Sequence, residues 1–172
     1  MTTIGLVSDT HFPRFGRALP RALEDGLRAA QVSRILHMGD LTDALAIPLF
    51  EAIAPFDAVA GNNDPDDIWT RFGRRKVVTI EGVRIGLVHG DAGRGRNAHE
   101  NAIAAFAGEA ADVILYGHSH RPLVEQRGAQ IVANPGSPTD RRMMPQFSYG
   151  ILTISGGVPA IALSYYTSRD PR

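Results

Sequence analysis

Short apolar runs recur along the chain, and five of them are closed by a polar cluster. Ile4–Val7 leads into Ser8-Asp9-Thr10-His11, Val32–Met38 into Gly39-Asp40-Leu41-Thr42-Asp43, and Phe56–Ala60 into Gly61-Asn62-Asn63-Asp64. Val83–Val88 leads into His89-Gly90-Asp91, and Asp112–Tyr116 into Gly117-His118-Ser119-His120. Runs this short and this rich in branched side chains read as buried strands. Between them, residues 20–30 predict a helix with Leu19, Leu23, Leu27 and Ala30 along one face. Residues 43–53 predict a second, and residues 97–109 a third with Ile103 and Phe106 turned inward, while 65–75 reads as a polar loop or short helix. Glu81-Gly82 predicts a hairpin between Lys76–Ile80 and Val83–Val88. Two further antiparallel pairs follow, Leu123–Gln126 with Gln130–Ala133 and Tyr149–Ile154 with Val158–Tyr165. The first half therefore predicts a parallel sheet whose strand C-termini share one edge, and the second half is mostly antiparallel. Two sheets packed face to face with helices outside satisfy both halves.

Composition narrows the class. A chain of 172 residues can bury a full core, and no linker, repeat or low-complexity tract divides it, so residues 1–172 read as one domain. There is no cysteine, which excludes disulfides, thiolate nucleophiles and cysteine-ligated zinc. Basic and acidic residues number 18 each, against bulk electrostatic capture of nucleic acid. Of the basic residues all but Lys76 are arginine, as high-GC coding bias or a preference for forked phosphate contacts would give. The start of the chain reads as a first strand rather than a signal peptide, and no run approaches membrane-spanning length. A soluble cytoplasmic protein is the expectation.

The five strand-end clusters carry the chemistry. Four of the six histidines fall in them, together with Asp9, Asp40 and Asn62. Such oxygen and nitrogen donors suit manganese, iron, zinc, nickel or cobalt, and argue against copper(I) or an iron–sulfur cluster. The set is too large for one ion with an open position and sufficient for two. Two ions about 3.5–4 Å apart that share a carboxylate are the usual arrangement for hydrolysing phosphate esters. As turn-formers and strand caps, the same residues would have no reason to recur together in five segments.

This ordered set resembles the calcineurin-like metallophosphoesterase superfamily. Ser8-Asp9-Thr10-His11-Phe12-Pro13 and Asn134-Pro135-Gly136-Ser137 are similar to its small, uncapped bacterial and archaeal phosphodiesterase branch, over about residues 4–165. The resemblance implies an α/β fold, a four-layer αββα sandwich of two mixed sheets, with no cap domain. It implies that Asp9, His11, Asp40 and His120 hold one divalent ion, manganese foremost, and that Asp40, Asn62, His89 and His118 hold the other. Asp40 would be the bridge and a hydroxide between the ions the nucleophile. Asp40, Asn63, His89 and His118 would then take part in catalysis, all but Asn63 as metal ligands as well. Many relatives carry histidine after the metal-binding asparagine as the leaving-group acid. Here that position is Asn63, whose amide can donate a hydrogen bond but not a proton.

The implied substrate is a small phosphodiester or phosphomonoester. Membranes are not expected as partners, nor nucleic acid beyond a small nucleotide, and homo-oligomerisation stays open. The competing reading is a protein-binding scaffold of the same fold, like the retromer subunit. A nuclease acting on duplex DNA is weaker still, because relatives that process DNA carry additional domains. Asp43 and Asp64 read as orienting or capping carboxylates, His37 as a core or supporting histidine, and His99 as solvated. Arg94, Arg96, Arg14, Arg141 and Arg142 are either phosphate contacts or solvated loop residues.

Overall fold

The computed structural model describes residues 1–170. Strands β1 (Thr2–Val7), β2 (Arg34–Met38) and β3 (Phe56–Val59) run parallel. With β9 (Phe147–Ser155) and β10 (Val158–Tyr166) they form a five-stranded sheet in the order β10-β9-β1-β2-β3. The second five-stranded sheet, in the order β4-β5-β6-β8-β7, contains β4 (Arg75–Ile80), β5 (Val83–Val88), β6 (Val113–Leu115), β7 (Leu123–Arg127) and β8 (Gln130–Asn134). Within it β5, β6 and β8 are parallel.

Alternation along the strands sorts side chains into three apolar layers. Ile4, Leu6, Leu36 and Met38 of the first sheet meet Ile85, Leu87, Val113 and Leu115 of the second in the central layer. The other face of the first sheet, Val7 and Ile35 among it, is covered by helices α1 (Arg21–Ala29), α2 (Ile47–Glu51) and α3 (Asp66–Phe72). Helix α4 (Ala98–Ala105) covers Ile114 and Val132 on the far side of the second sheet. Helices, sheet, sheet and helix make the four-layer sandwich. β1 is buried on both faces, which is why its run is apolar at nearly every position.

Two predicted helices are shorter than their sequence patterns. The 43–53 segment splits into a 3-10 turn, Ala44–Ala46, and α2. Pro48 has no N–H to continue a helix begun at Asp43, but it fits the first turn of a new one. The 97–109 helix ends at Ala105, just before a turn through Gly108 at φ 82°. Phe106 is buried as expected, while Ile103 is half-buried and Ala98 and Ala102 share the inward face.

Candidate metal centre

All six parallel strands deliver their C-terminal ends to one edge of the sandwich, and the five polar clusters lie there. Asp9 follows β1 and is fully buried. Its Oδ2 accepts hydrogen bonds from the Ser8 hydroxyl at 2.7 Å and the His118 backbone N–H at 3.0 Å. Among the described residues its Oδ1 accepts none, and it points toward three imidazoles, with Nε2 of His120 at 3.3 Å, of His89 at 3.9 Å and of His11 at 4.0 Å. Asp40 follows β2, and its Oδ2 lies 3.3 Å from His89 Nε2 and 3.7 Å from His11 Nε2. Donor atoms of Asp9, His11 and His120 thus sit within 4.8 Å of one another, and so do those of Asp9, Asp40 and His89. Both carboxylates reach both groups of imidazoles.

The supporting hydrogen bonds determine which atoms face inward. His89 Nδ1 is 2.7 Å from the Met38 carbonyl, and His120 Nδ1 is 2.5 Å from the Asp140 carbonyl. A carbonyl oxygen can only accept, so each Nδ1 carries the hydrogen and each neutral ring turns the lone pair of Nε2 into the cluster. Among the described residues Nε2 of His89 has no hydrogen-bond partner. Nε2 of His11 and His120 lie 3.3 Å apart. Lone pairs that close, beside an unpartnered carboxylate oxygen, are unfavourable without a cation or proton between them. This donor set fits divalent metal.

Without metal, protons take that place. Burial alone would push Asp9 up, but the His120 contact and the charge of His89 hold it below the usual carboxylate range. Asp40 is held down in the same way, against its burial, by His89 and Asn63. Burial pulls His89 down and the two carboxylates outweigh it, raising its pKa to about 9. His120 is likewise raised, by Asp9 against burial. His11 and His118 are lowered, chiefly by burial.

Asn63 donates through its backbone N–H to Asp40 Oδ1 at 2.9 Å and through its amide to Oδ2 at 2.7 Å. Its amide therefore fixes Asp40 rather than standing free toward a leaving group. Asn62 lies on the same turn with its side chain exposed, and His118 is half-buried with its ring edge-on to His89 at 5.2 Å. Asp64 accepts from the backbone N–H groups of Asp40, Thr42 and Gly61 at 2.8, 2.6 and 2.7 Å, joining two of the loops. Asp43 caps the 3-10 turn by accepting from Leu45 N–H. Ser137 and Thr139 hydroxyls donate to the Asp9 carbonyl, and Asn134 donates to the Gly117 carbonyl, so the 134–139 turn braces two of the clusters. His37 is fully buried beside the Thr10 hydroxyl, and burial pushes its pKa down to about 3. His99 is not solvated as expected. It lies 2.8 Å from a Glu125 carboxylate oxygen and 3.1 Å from the Tyr116 hydroxyl.

Sequence reading misses the backbone of this edge. Asp9, His11, Asp40, His118 and His120 all have φ between 48° and 66°. Each left-handed residue costs about 1–2 kcal/mol, and such strain concentrates at functional sites. The available signal is the glycine just before two of them, Gly39 before Asp40 and Gly117 before His118. A Cβ on Gly61 would lie 2.2 Å from Asp40 Oδ1, and one on Gly117 1.9 Å from the Ser8 hydroxyl.

Residues 2–157 match the calcineurin-like phosphoesterase superfamily domain. The chain belongs to that superfamily. A probable metallophosphoesterase of Methanothermobacter thermautotrophicus is 35% identical over 158 residues, covering 89% of this chain and 86% of the relative. A phosphodiesterase of Methanocaldococcus jannaschii is 26% identical, covering 77% of this chain and 82% of that one. Among solved structures, Vps29 from Chaetomium thermophilum superposes with a TM-score of 0.78 at 22% identity, over 99% of this chain and all of that one, and shares the fold. For a calcineurin-like phosphoesterase, phosphoester hydrolysis and divalent metal are the family chemistry, and Asp9, His11, His120, Asp40 and His89 form groups that can hold metal. Among the described residues no helix is long and apolar enough to cross a membrane.

Proposed function

We propose that the chain is a phosphodiesterase whose Asp9, His11, Asp40, Asn62, His89, His118 and His120 hold two divalent cations. Manganese comes first, with iron, zinc, nickel and cobalt as alternatives. The supporting observation is the convergence of buried, unpartnered Asp9 Oδ1 and His89 Nε2 with the facing Nε2 atoms of His11 and His120. Bound there, the cations would neutralise phosphate charge and activate water as the nucleophile. Asp9 and Asp40 both reach both imidazole groups, and the bridge is assigned to Asp40 on the family pattern. Met38 and Asp140 carbonyls hold His89 and His120 in the ligating tautomer, and Asn63 and Asp64 fix Asp40.

Substrate would enter over His11 through a cavity of about 410 Å³ lined by Arg14, Thr42, Asn63, Asp140 and Arg142. With asparagine at position 63 and its amide bonded to Asp40, that side chain offers no proton to a departing alkoxide. Small diesters and monoesters with acidic alcohols are therefore the favoured substrates, in the cytoplasm. The test is a manganese-reconstituted screen of aryl phosphodiesters with graded leaving groups, alongside monoesters and cyclic nucleotides. A rate that rises steeply as the leaving group becomes more acidic supports the reading. Metal binding without turnover of any ester would favour a protein-binding scaffold of the same fold.

A further inference from the structure

Over much of the surface, arginines are matched with carboxylates: Arg28 with Glu24, Arg74 with Asp91, Arg75 with Glu109 and Arg96 with Glu100. Arginines without such a match occur elsewhere too, but at the approach to the carboxylate–imidazole cluster four of them gather. Arg14 and Arg142 line the cavity over His11. That cavity shares Asp140 and Arg142 with a second one of about 280 Å³, bordered by Phe15, Phe147, Arg141 and Arg169. Among the described residues none of these four guanidiniums is ion-paired with a carboxylate.

Neutral groups hold them instead. Arg142 donates to the His118 carbonyl at 3.3 Å, Arg141 to the Met144 carbonyl at 2.6 Å and Arg169 to the Thr139 carbonyl at 3.0 Å. Arg14 and Arg169 lie 5.2 and 5.0 Å from the centre of the Phe15 ring, and Arg141 and Arg169 each 5.7 Å from that of Phe147. Phe15 in turn meets the His11 ring edge-on at 6.4 Å, which ties this rack to the cluster. Asp140, the acidic residue lining both cavities, has one carboxylate oxygen 3.7 Å from His120 Nδ1. On a chain with 18 basic and 18 acidic residues, this groove is a local cationic excess that net charge conceals.

Guanidinium forks complement phosphate oxygens, and aromatic faces orient them before a ligand arrives, which lowers the ordering cost of binding. We propose that Arg14, Arg141, Arg142 and Arg169, racked on Phe15 and Phe147 beside the metal-type cluster, form a subsite for a second, non-scissile phosphate of the substrate. The proposal rests on the phosphodiesterase reading only for the position of the scissile group.

Equilibrium binding to the manganese-loaded full chain tests it with matched pairs. One pair is thymidine 5′-monophosphate and thymidine 3′,5′-bisphosphate; the other is fructose 6-phosphate and fructose 1,6-bisphosphate. In at least one pair the bisphosphate should bind about tenfold more tightly, and the gap should narrow as salt rises. The pair that shows the gap identifies a nucleotide or a sugar as the carrier. In Arg169→Ala, and in Phe15→Leu, which removes the rack without removing charge, the gap should shrink to about threefold or less. Arg169→Lys should retain part of it. Equal binding within both pairs, or a gap unchanged in Arg169→Ala, would overturn the subsite. A chain that discriminates the pairs yet turns over no diester supports the subsite and sinks the enzymatic reading, so the two failures are distinguishable.

Discussion

The strand-end loops around Asp9, Asp40 and His118 and the hairpin turns at Glu81-Gly82 and Gly156-Gly157 all contain left-handed backbone, for opposite reasons. In the hairpins glycine carries most of it, with φ 81° at Gly82, 58° at Gly156 and 78° at Gly157, and Glu81 at 47° is the exception. Among the described residues a Cβ at Gly82 or Gly156 would meet nothing within 4 Å. There the conformation serves the turn, and at Gly82, Gly156 and Gly157 strain is avoided by omitting the side chain. At the cluster the left-handed residues are Asp9, His11, Asp40, His118 and His120, whose side chains the chemistry requires. Their neighbours give way instead: Gly61 lies under Asp40 and Gly117 under Ser8 and Asp9. One edge of the sandwich accepts strain at five donors so that they converge, whereas the two hairpins accept it at Glu81 alone.

The largest expected effect comes from removing a converging donor. Asp40→Ala should abolish turnover of an aryl phosphodiester and lower the content of both metals, read by elemental analysis of the reconstituted variant. Near-normal activity would remove Asp40 from the bridge. Next is Asp64→Ala, which strips the acceptor from three backbone N–H groups and should destabilise by about 3 kcal/mol in denaturant unfolding. A loss below about 1 kcal/mol would show that the two loops hold together without it.

Much of this contrast was legible in the sequence. Ile4–Val7, Val32–Met38 and Phe56–Ala60 announce buried strands because both of their faces are covered, and five donor clusters in order point to one edge. The pairings Glu81-Gly82 and Gly156-Gly157 announce hairpins because their geometry is local. What stayed hidden depends on contacts between distant segments. Nothing near residue 63 reveals that its amide turns onto Asp40, and nothing near His99 reveals Glu125 and Tyr116. Pro48 was visible, yet helical periodicity on either side masked the break it imposes.

A subtler way to sharpen the comparison is pH. The metal-free protein should be most stable near pH 6.5. His89 has its pKa raised to about 9, so its contribution is complete below its ordinary 6.5 and is lost as pH rises through 9. His37, lowered to about 3, acts the other way: below 6.5 the unfolded chain takes up a proton that the folded chain refuses. That costs up to about 1.4 kcal/mol per pH unit as pH falls. Asp40, held below its ordinary 3.8, adds a further loss at still lower pH. Melting temperatures in chelator should peak near neutrality, and a flat profile from pH 5 to 9 would contradict these assignments.

The smallest effect belongs to the relaxed turns. Gly156→Ala meets no atom and should lose about 1 kcal/mol from backbone strain alone, whereas Gly117→Ala, forced against Ser8 and Asp9, should lose about 3 kcal/mol or more. Equal losses at the two positions would erase the distinction between the two kinds of left-handed turn.

The most direct test of the central claim is a crystal of the chain soaked in manganese, with diffraction recorded at the metal's absorption edge. Two anomalous peaks are expected: one among Asp9, His11, Asp40 and His120, the other among Asp40, Asn62, His89 and His118. A map without a peak among these side chains at saturating metal would contradict the account.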